Sequence, residues 1–518
     1  MINTEWASPF GAGWLLGELM KRSFLHRWFV ANAYVAGVFA LCWLLLRSGS
    51  RPSRLAYPCQ QAAVSTATLA FGAPLVAAIL ALRRKLASLQ SIVGIAAAAF
   101  GLIATFGAWG YLSRVEASRG PRLPSLQAPA DYRAEVFHVS GCPQDPIEDR
   151  FPCFESILEL MGSQGLKFYN APTTTRISGP DGVLADDDVI VIKINYQWAE
   201  RGGTNTDLLR GVIRSIVDHP SGFIGEIVVC ENAQFASVEN FDRADNNAQD
   251  QALSPSDVVS HFQDLGHNVS LFDWTSIRNT QVNEFSAGDL EDGYVLYPWD
   301  AQLNGAVSYP KFQTSFGTYI SLRDGIWDPV NESYDREHLK FLNLPVLKSH
   351  SIYGVTANVK DYMGVVTREL GTNSHAAIRY GLLGAHLGEV ELADLNILDA
   401  IWINAHPNGG PSTNYGEASR RDELVISIDP VAADLWATEN ILIPAFRDNG
   451  HTSWPKADPE DPNSDFREYL DNSANAILAA GIEVTNDPEH IDAFSLRIPI
   501  LTDGFESGDT SAWASEVP

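Results

Sequence analysis

The chain has 518 residues, room for two or three domains, with 36 Lys and Arg against 63 Asp and Glu and a formal net charge of −27. That charge is unevenly spread: residues 1–122 hold 12 Lys and Arg against 3 Asp and Glu, while the remaining 396 residues hold 24 against 60. So acidic a second part repels phosphate, which excludes nucleic acid as its partner.

Three uncharged stretches come first, at 28–46 (WFVANAYVAGVFALCWLLL), 62–82 (AAVSTATLAFGAPLVAAILAL) and 91–112 (SIVGIAAAAFGLIATFGAWGYL). Each has about the 20 apolar residues that cross a bilayer core of ~30 Å. The first lies too far into the chain and is too long for a cleaved signal peptide. Residues 1–112 are therefore expected to be three transmembrane helices, with the lipid bilayer as a partner. Every flank carries three cations, so charge alone does not orient the spans. Residues 113–135 read as a linker, because Pro121, Pro124 and Pro129 interrupt any helix. Cys142 and Cys153 then bracket a short segment. They are either bridged, which would suit an oxidising compartment, or two free thiols.

From 136 to 500, short apolar runs alternate with amphipathic ones. DVIVIKIN (188–195) reads as a buried strand and TNTDLLRGVIRSIVDH (204–219) as a helix, with Leu208, Leu209, Val212, Ile213 and Ile216 on one face. EIVVCEN (226–232) completes a βαβ unit. Further strands are expected at NVSLFDW (268–274), LPVLK (344–348), LNILDAIWI (395–403) and ELVISID (423–429), with a helix at 430–439 capped by Asp429 and opened by Pro430. Residues 275–343 read as a loop-rich insertion with edge strands, and 501–518 as a tail. This order predicts an α/β fold with a largely parallel sheet flanked by helices.

Ligands of open α/β sheets bind beyond the carboxyl ends of the strands. There stand Lys193 and Asn195, Glu231 and Asn232, Lys348 with Ser349 and His350, Asp399 running into Asn404 and His406, and Asp429. If the strands are parallel neighbours, these residues share one edge and form a cleft able to grip an anion, a metal or both. Lys193, inside an apolar strand, is either a ligand group or one half of a structural ion pair. Lys348 and His350 lie on one strand face and are the candidates for catalysis. Lys360 reads either as an assisting cation or as a helix-surface one. His406 sits in a Pro/Gly-rich turn, and His375 and His386 in an expected helical stretch, so all three read as structural. Asp429 is first a helix cap. No phosphate-binding glycine loop, nucleophile elbow or zinc-binding H-E-x-x-H is present. No C-x-x-C occurs either, so no iron–sulfur motif is available and cofactor and metal stay open.

The segments VIVIKIN, EIVVCEN, LPVLKSHSIYGVTANVKDYMGVV, ILDAIWINAHPNGGP and LVISIDPVAADLWA resemble, in this order, the domain of unknown function 362 family of bacteria and archaea, over roughly 185–437. Carried over by position, that resemblance marks Lys193, Asn195, Lys348, His350, Lys360, Gly364, Gly410, Pro411, Asp429 and Asp434. Two features depart from the family. Lys360 is followed by Asp361 where many relatives carry Asn, and the cysteine clusters of many relatives are missing. The tail DGFESGDTSAWASEVP resembles a short C-terminal sequence of exported bacterial proteins. The Cys142/Cys153 pair and this tail together imply a bacterial inner-membrane protein with its α/β domain on the extracytoplasmic side. That domain is expected to bind a small anionic molecule through Lys193, Asn195, Lys360, Gly410 and Asp429, with Lys348 and His350 as the catalytic candidates. The alternative is a non-catalytic, membrane-tethered binding or assembly factor in which the same charges form a structural ion network.

Overall fold

The computed structural model describes residues 126–142, 149–234, 241–245 and 253–498. The chain divides into two units, Met1–Arg119 and Gly120–Pro518, and the architecture below is that of the second. The three spans expected at 28–46, 62–82 and 91–112, and the tail at 501–518, lie outside the described residues. Among the described residues no helix is long and apolar enough to cross a membrane.

Strand β1 (Ala134–Ser140) leads to helix α1 (Pro152–Gln164) and a small pair, β2 (Tyr169–Asn170) and β3 (Ser178–Gly179). Then come β4 (Val189–Ile194), α2 (Thr206–Val217), β5 (Glu226–Glu231), α3 (Pro255–Asp264) and β6 (Val269–Asp273). Five strands follow: β7 (Gly293–Leu296), β8 (Ser308–Gln313), β9 (Tyr319–Ser321), β10 (Gly325–Asp328) and β11 (Ser333–Asp335). Next are β12 (Leu339–Leu344), β13 (Val346–His350), β14 (Gly354–Thr356) and the short helix α4 (Asn358–Asp361). The chain continues through α5 (Ser374–Ala377), α6 (Leu382–Glu389), β15 (Leu395–Asn404) and β16 (Ala418–Ser427). It closes with α7 (Pro430–Ala437), α8 (Ile443–Asp448), α9 (Asp465–Ala479) and β17 (Ile491–Arg497).

The main sheet runs β17-β1-β16-β15-β12-β4-β5-β6, with β13 on β15 and β14 on β13. Strands β15, β12, β4, β5 and β6 are parallel, so the fold is α/β with a mostly parallel central sheet between helices. The alternation within β4 shows why. Ile190, Ile192 and Ile194 pack with Phe154, Ile157, Leu209, Ile213, Val258 and Phe262 of α1, α2 and α3. Val191 faces the other way, into the core that holds Leu382, Val431, Phe466 and Leu470 of α6, α7 and α9. A strand buried on both faces has no polar side to show, hence the continuous apolar run.

Four expectations change. The insertion read as loops with edge strands carries a sheet of its own: β7 to β11 form a five-stranded antiparallel sheet in chain order. Its expected end, up to 343, contains β12, a central strand between β4 and β15. Lys340 and Asn343 break the apolar run there. Pro345, which has no N–H, separates β12 from β13, and the Asp399 N–H donates to its carbonyl at 2.8 Å. Finally, β16 is antiparallel to β15, so its carboxyl end points away from those of its neighbours. In addition, β1 begins at Ala134, inside the stretch read as linker.

Cys142, just past β1, is bridged to Cys153 in α1. Closing so short a loop restricts the unfolded chain and is worth about 3 kcal/mol in the entropic model. The Cys142→Ser/Cys153→Ser variant should therefore lose about 3 kcal/mol in urea titration. An unchanged midpoint would show that the bridge does not support the fold.

Candidate functional site

At one level of the sheet, Cys230, Lys193, Asn343, Asn396 and Ser427 stand side by side on β5, β4, β12, β15 and β16. All five are buried. Polar groups so placed are costly unless bonded, and here they bond to each other and to the backbone. Asn343 Nδ2 donates to Asn396 Oδ1 at 3.2 Å and to the Asn358 carbonyl at 3.3 Å. Asn396 Nδ2 donates to the Ser427 carbonyl at 3.3 Å, and Ser427 Oγ to the Glu135 carbonyl at 2.7 Å.

Lys193 turns this row into an ion network. Its Nζ donates to Asp361 Oδ2 at 2.5 Å and to the Asp361 carbonyl at 2.7 Å, and lies 3.0 Å from Glu231 Oε2. Asp361 Oδ1 accepts from Asn195 Nδ2 at 2.5 Å. Asn195 Oδ1 in turn accepts from Lys348 Nζ at 3.1 Å, and Lys348 also donates to the Gly202 carbonyl. The chain Glu231–Lys193–Asp361–Asn195–Lys348 is continuous and buried. Local structure holds each member. The Asn195 N–H donates to Thr204 Oγ1, whose hydroxyl donates to the Leu344 carbonyl, tying the loop after β4 to the end of β12. The α4 amides of Asn358 and Val359 donate to the Asp434 carboxylate of α7, which places Asp361 over Lys193. A Cβ on Gly364 would stand 2.6 Å from Lys193 Nζ and 2.4 Å from Glu231 Oε2, so only glycine lets this turn close over the pair. Burial pushes the Glu231 carboxyl up, with Lys193 pulling the other way.

A second group forms around the Tyr353 ring. Lys360 Nζ lies 5.6 Å from its centroid, Arg379 Cζ 5.5 Å, the His350 ring 5.4 Å and the His375 ring 5.3 Å. Lys360 is 6 % exposed, yet among the described residues its ammonium has neither a hydrogen-bond acceptor nor an ion-pair carboxylate. It is the one cation of Lys193, Lys348 and Lys360 left in that state. Burial lowers both Lys348 and Lys360 to about 7, against the pull of Asp361. His350 Nδ1 accepts the N–H groups of Ile352 and Tyr353, each at 3.1 Å, so the neutral ring carries its proton on Nε2. Burial, then Lys360, His375 and Lys348, hold His350 well below its ordinary value, which keeps it neutral. Burial first, then Lys360, Arg368 and Arg379, bring His375 down to about 3. An Nε2–H donor and an unsatisfied ammonium thus share one small region.

The other expected residues fall elsewhere. Gly410 does not line this region: it is pressed against β13, where a Cβ would lie 1.9 Å from the Ser349 carbonyl oxygen. Asp429 follows the antiparallel β16, and its carboxylate accepts from the N–H groups of Val431, Ala432 and Thr485 and from the Tyr132 hydroxyl. It caps α7 as expected, and none of its hydrogen-bond partners belongs to the Lys193 network. Asp399 accepts from the Asn205 and Ile401 amides and is raised to about 6 by burial. His406 bonds to His451 at 3.2 Å, and the ring nitrogens of His386 are buried without a hydrogen-bond partner.

Sequence reasoning missed Asp361, Asn343 and Asn358 as network members and Tyr353, His375 and Arg379 as neighbours of Lys360. Asp361 was signalled by the Lys-Asp pair. Asn343 lies on β12, hidden in the expected insertion, and Asn358, Tyr353, His375 and Arg379 lie within residues 351–380, whose short elements leave no periodic trace. No group of three or more His, Cys, Asp or Glu among the described residues is arranged to hold a metal ion. A separate surface cleft of about 380 Å³, lined by Arg467, Asp471, Asn475 and Asp487, contains none of these groups.

No curated protein and no solved structure matches the chain. The family match is narrower than the 185–437 expected and leaves Lys193, Asn195 and Glu231 outside it. Residues 336–439, which carry Lys348, His350, Lys360, Asp361, Gly364, Gly410 and Asp434, match the model of a family described as a domain of unknown function (DUF362).

Proposed function

We propose that this domain binds a small anion at Lys360 and His350, on a chain held to a bacterial inner membrane by its first 112 residues. The observation that carries the reading is the ammonium of Lys360, a residue 6 % exposed and with no acceptor among the described residues, beside the Nε2–H of His350. A cation with so little exposed surface and no acceptor is poorly compensated, and an anionic ligand would relieve that cost. Lys348 and Lys193, bonded within the protein, would hold the floor of the site, with Asn195 between them. His350 would donate to the ligand as a neutral imidazole, the protonation that suits an electrophilic rather than a basic catalytic role. The Cys142–Cys153 bridge supports an oxidising, extracytoplasmic setting.

Calorimetry against phosphate, acetate and pyruvate tests this. Since Lys360 titrates near 7, it is charged below that pH and neutral above it, so affinity should rise as pH falls from 8 to 6. Lys360→Met should weaken binding roughly tenfold to a hundredfold, the worth of a charge-assisted hydrogen bond. Equal affinity in the variant, or affinity independent of pH, would sink the proposal.

The network around Lys193 favours a second reading for that part of the site: its partners are all internal, as expected of a structural ion cluster. Both readings hold together if Lys193 braces the ligand-binding residues rather than touching the ligand.

A further inference from the structure

We infer that Lys360 is a nucleophile that forms an imine with the carbonyl carbon of a small 2-oxo carboxylate. The inference rests on the anion-binding reading and deepens it by naming the ligand's chemical class. Lysine amines become nucleophilic when desolvated or set beside other cations, because either condition favours the neutral form. Lys360 meets both: it is 6 % exposed with no acceptor among the described residues, Arg379 shares the Tyr353 ring with it, and Lys193 lies close enough to disfavour its charge. Its depression to about 7 leaves a large neutral fraction at neutral pH, with burial the first cause. Lys348 and Lys193 do not compete, because their ammonium groups are held by Asn195, the Gly202 carbonyl and Asp361.

The surroundings fit the rest of the ligand. Its carboxylate would lie among His375, Arg368 and Arg379, the last two of which already bear on the His375 ring. Its carbonyl oxygen would accept the Nε2–H of His350, whose orientation is set by the Ile352 and Tyr353 amides. In the step itself the neutral amine attacks the carbonyl carbon and the π electron pair moves to oxygen. The two amine protons leave with that oxygen as water, and a C=N bond replaces C=O. No oxidant or reductant is consumed, and hydrolysis reverses the reaction.

The test uses the full-length chain in detergent with pyruvate as probe, sodium cyanoborohydride to reduce the imine, and peptide mass mapping. Lys360 should be labelled at least about tenfold faster than the exposed lysines. Lys360→Arg, which keeps a cation but cannot form the imine, should lose the label. Lactate, which lacks the carbonyl, should compete for binding and give no adduct. Pyruvate binding without labelling of Lys360 would overturn the imine and leave the anion site standing. Labelling spread evenly over surface lysines would overturn it as well. Failure of pyruvate, phosphate and acetate all to bind would overturn both. Matching denaturation midpoints for wild type and Lys360→Arg guard against a folding artefact.

Discussion

Lys193→Met should destabilise the domain by about 3–5 kcal/mol, the range for removing one partner of a buried ion pair. Lys193 has no exposed surface, and its loss leaves the carboxylates of Asp361 and Glu231 facing each other in the core. The pH dependence separates this from simple loss of packing. Burial already raises Glu231 above its unfolded value, and Lys193 is the main group holding it down. Between those two values the native state keeps a proton that the unfolded state has lost, so stability falls as pH rises through that window. Without Lys193 the folded value moves higher and the window extends upward. The penalty should therefore be larger at pH 9 than at pH 6 in urea titrations followed by tryptophan fluorescence. Lys193→Met/Asp361→Asn should recover part of the loss, because a neutral pair leaves less charge unpaired. A penalty below about 1 kcal/mol, or one equal at both pH values, would mean that Lys193 is not the hub of the network.

How far such a network can be read from sequence depends on what each part leaves behind. The strands β4, β5, β6 and β15, the helix α2 and the Asp429–Pro430 start of α7 were all legible, because burial on both faces or on one stripe leaves a period. Lys193 was legible for the complementary reason: a cation in such a run needs an explanation. Strand β12 was not, since Lys340 and Asn343 disguise a central strand as part of an insertion. Nor was the direction of β16, because pairing sense is a tertiary property and leaves no mark within the strand itself. That one reversal moves Asp429 out of the cleft it was expected to line. Lys360 illustrates a different limit. Its residue type and motif were visible, but a helix-surface cation and a largely enclosed one without an acceptor have the same spelling. What distinguishes them is the fold of residues 351–380 around Tyr353, set by contacts too distant in sequence to show as periodicity.

Gly410→Ala should cost about 3 kcal/mol, by two separate physical routes. Gly410 has φ of 69°, a left-handed conformation that costs an L-residue with a Cβ roughly 1–2 kcal/mol. The new Cβ would also lie 1.9 Å from the Ser349 carbonyl oxygen, a backbone atom that no rotamer change can move, and such overpacking adds roughly 1–3 kcal/mol. Ser349 stands between Lys348 and His350 on β13, and its Oγ donates to Asn404 Oδ1 at 2.9 Å, while Asn404 Nδ2 holds the Ser412 carbonyl on the same turn. Relief of the clash must therefore shift either the turn or the strand that carries both candidate catalytic residues. Anion affinity should fall along with stability, although Gly410 itself does not reach the Tyr353 cluster. Gly409→Ala is the control, since its Cβ would stand 3.1 Å from the nearest atom, in His406, with no left-handed backbone to strain. It should cost under about 1 kcal/mol and leave binding unchanged. If the two alanine variants behave alike, the turn does not position β13, and the role of Gly410 must be sought in direct contact with a ligand.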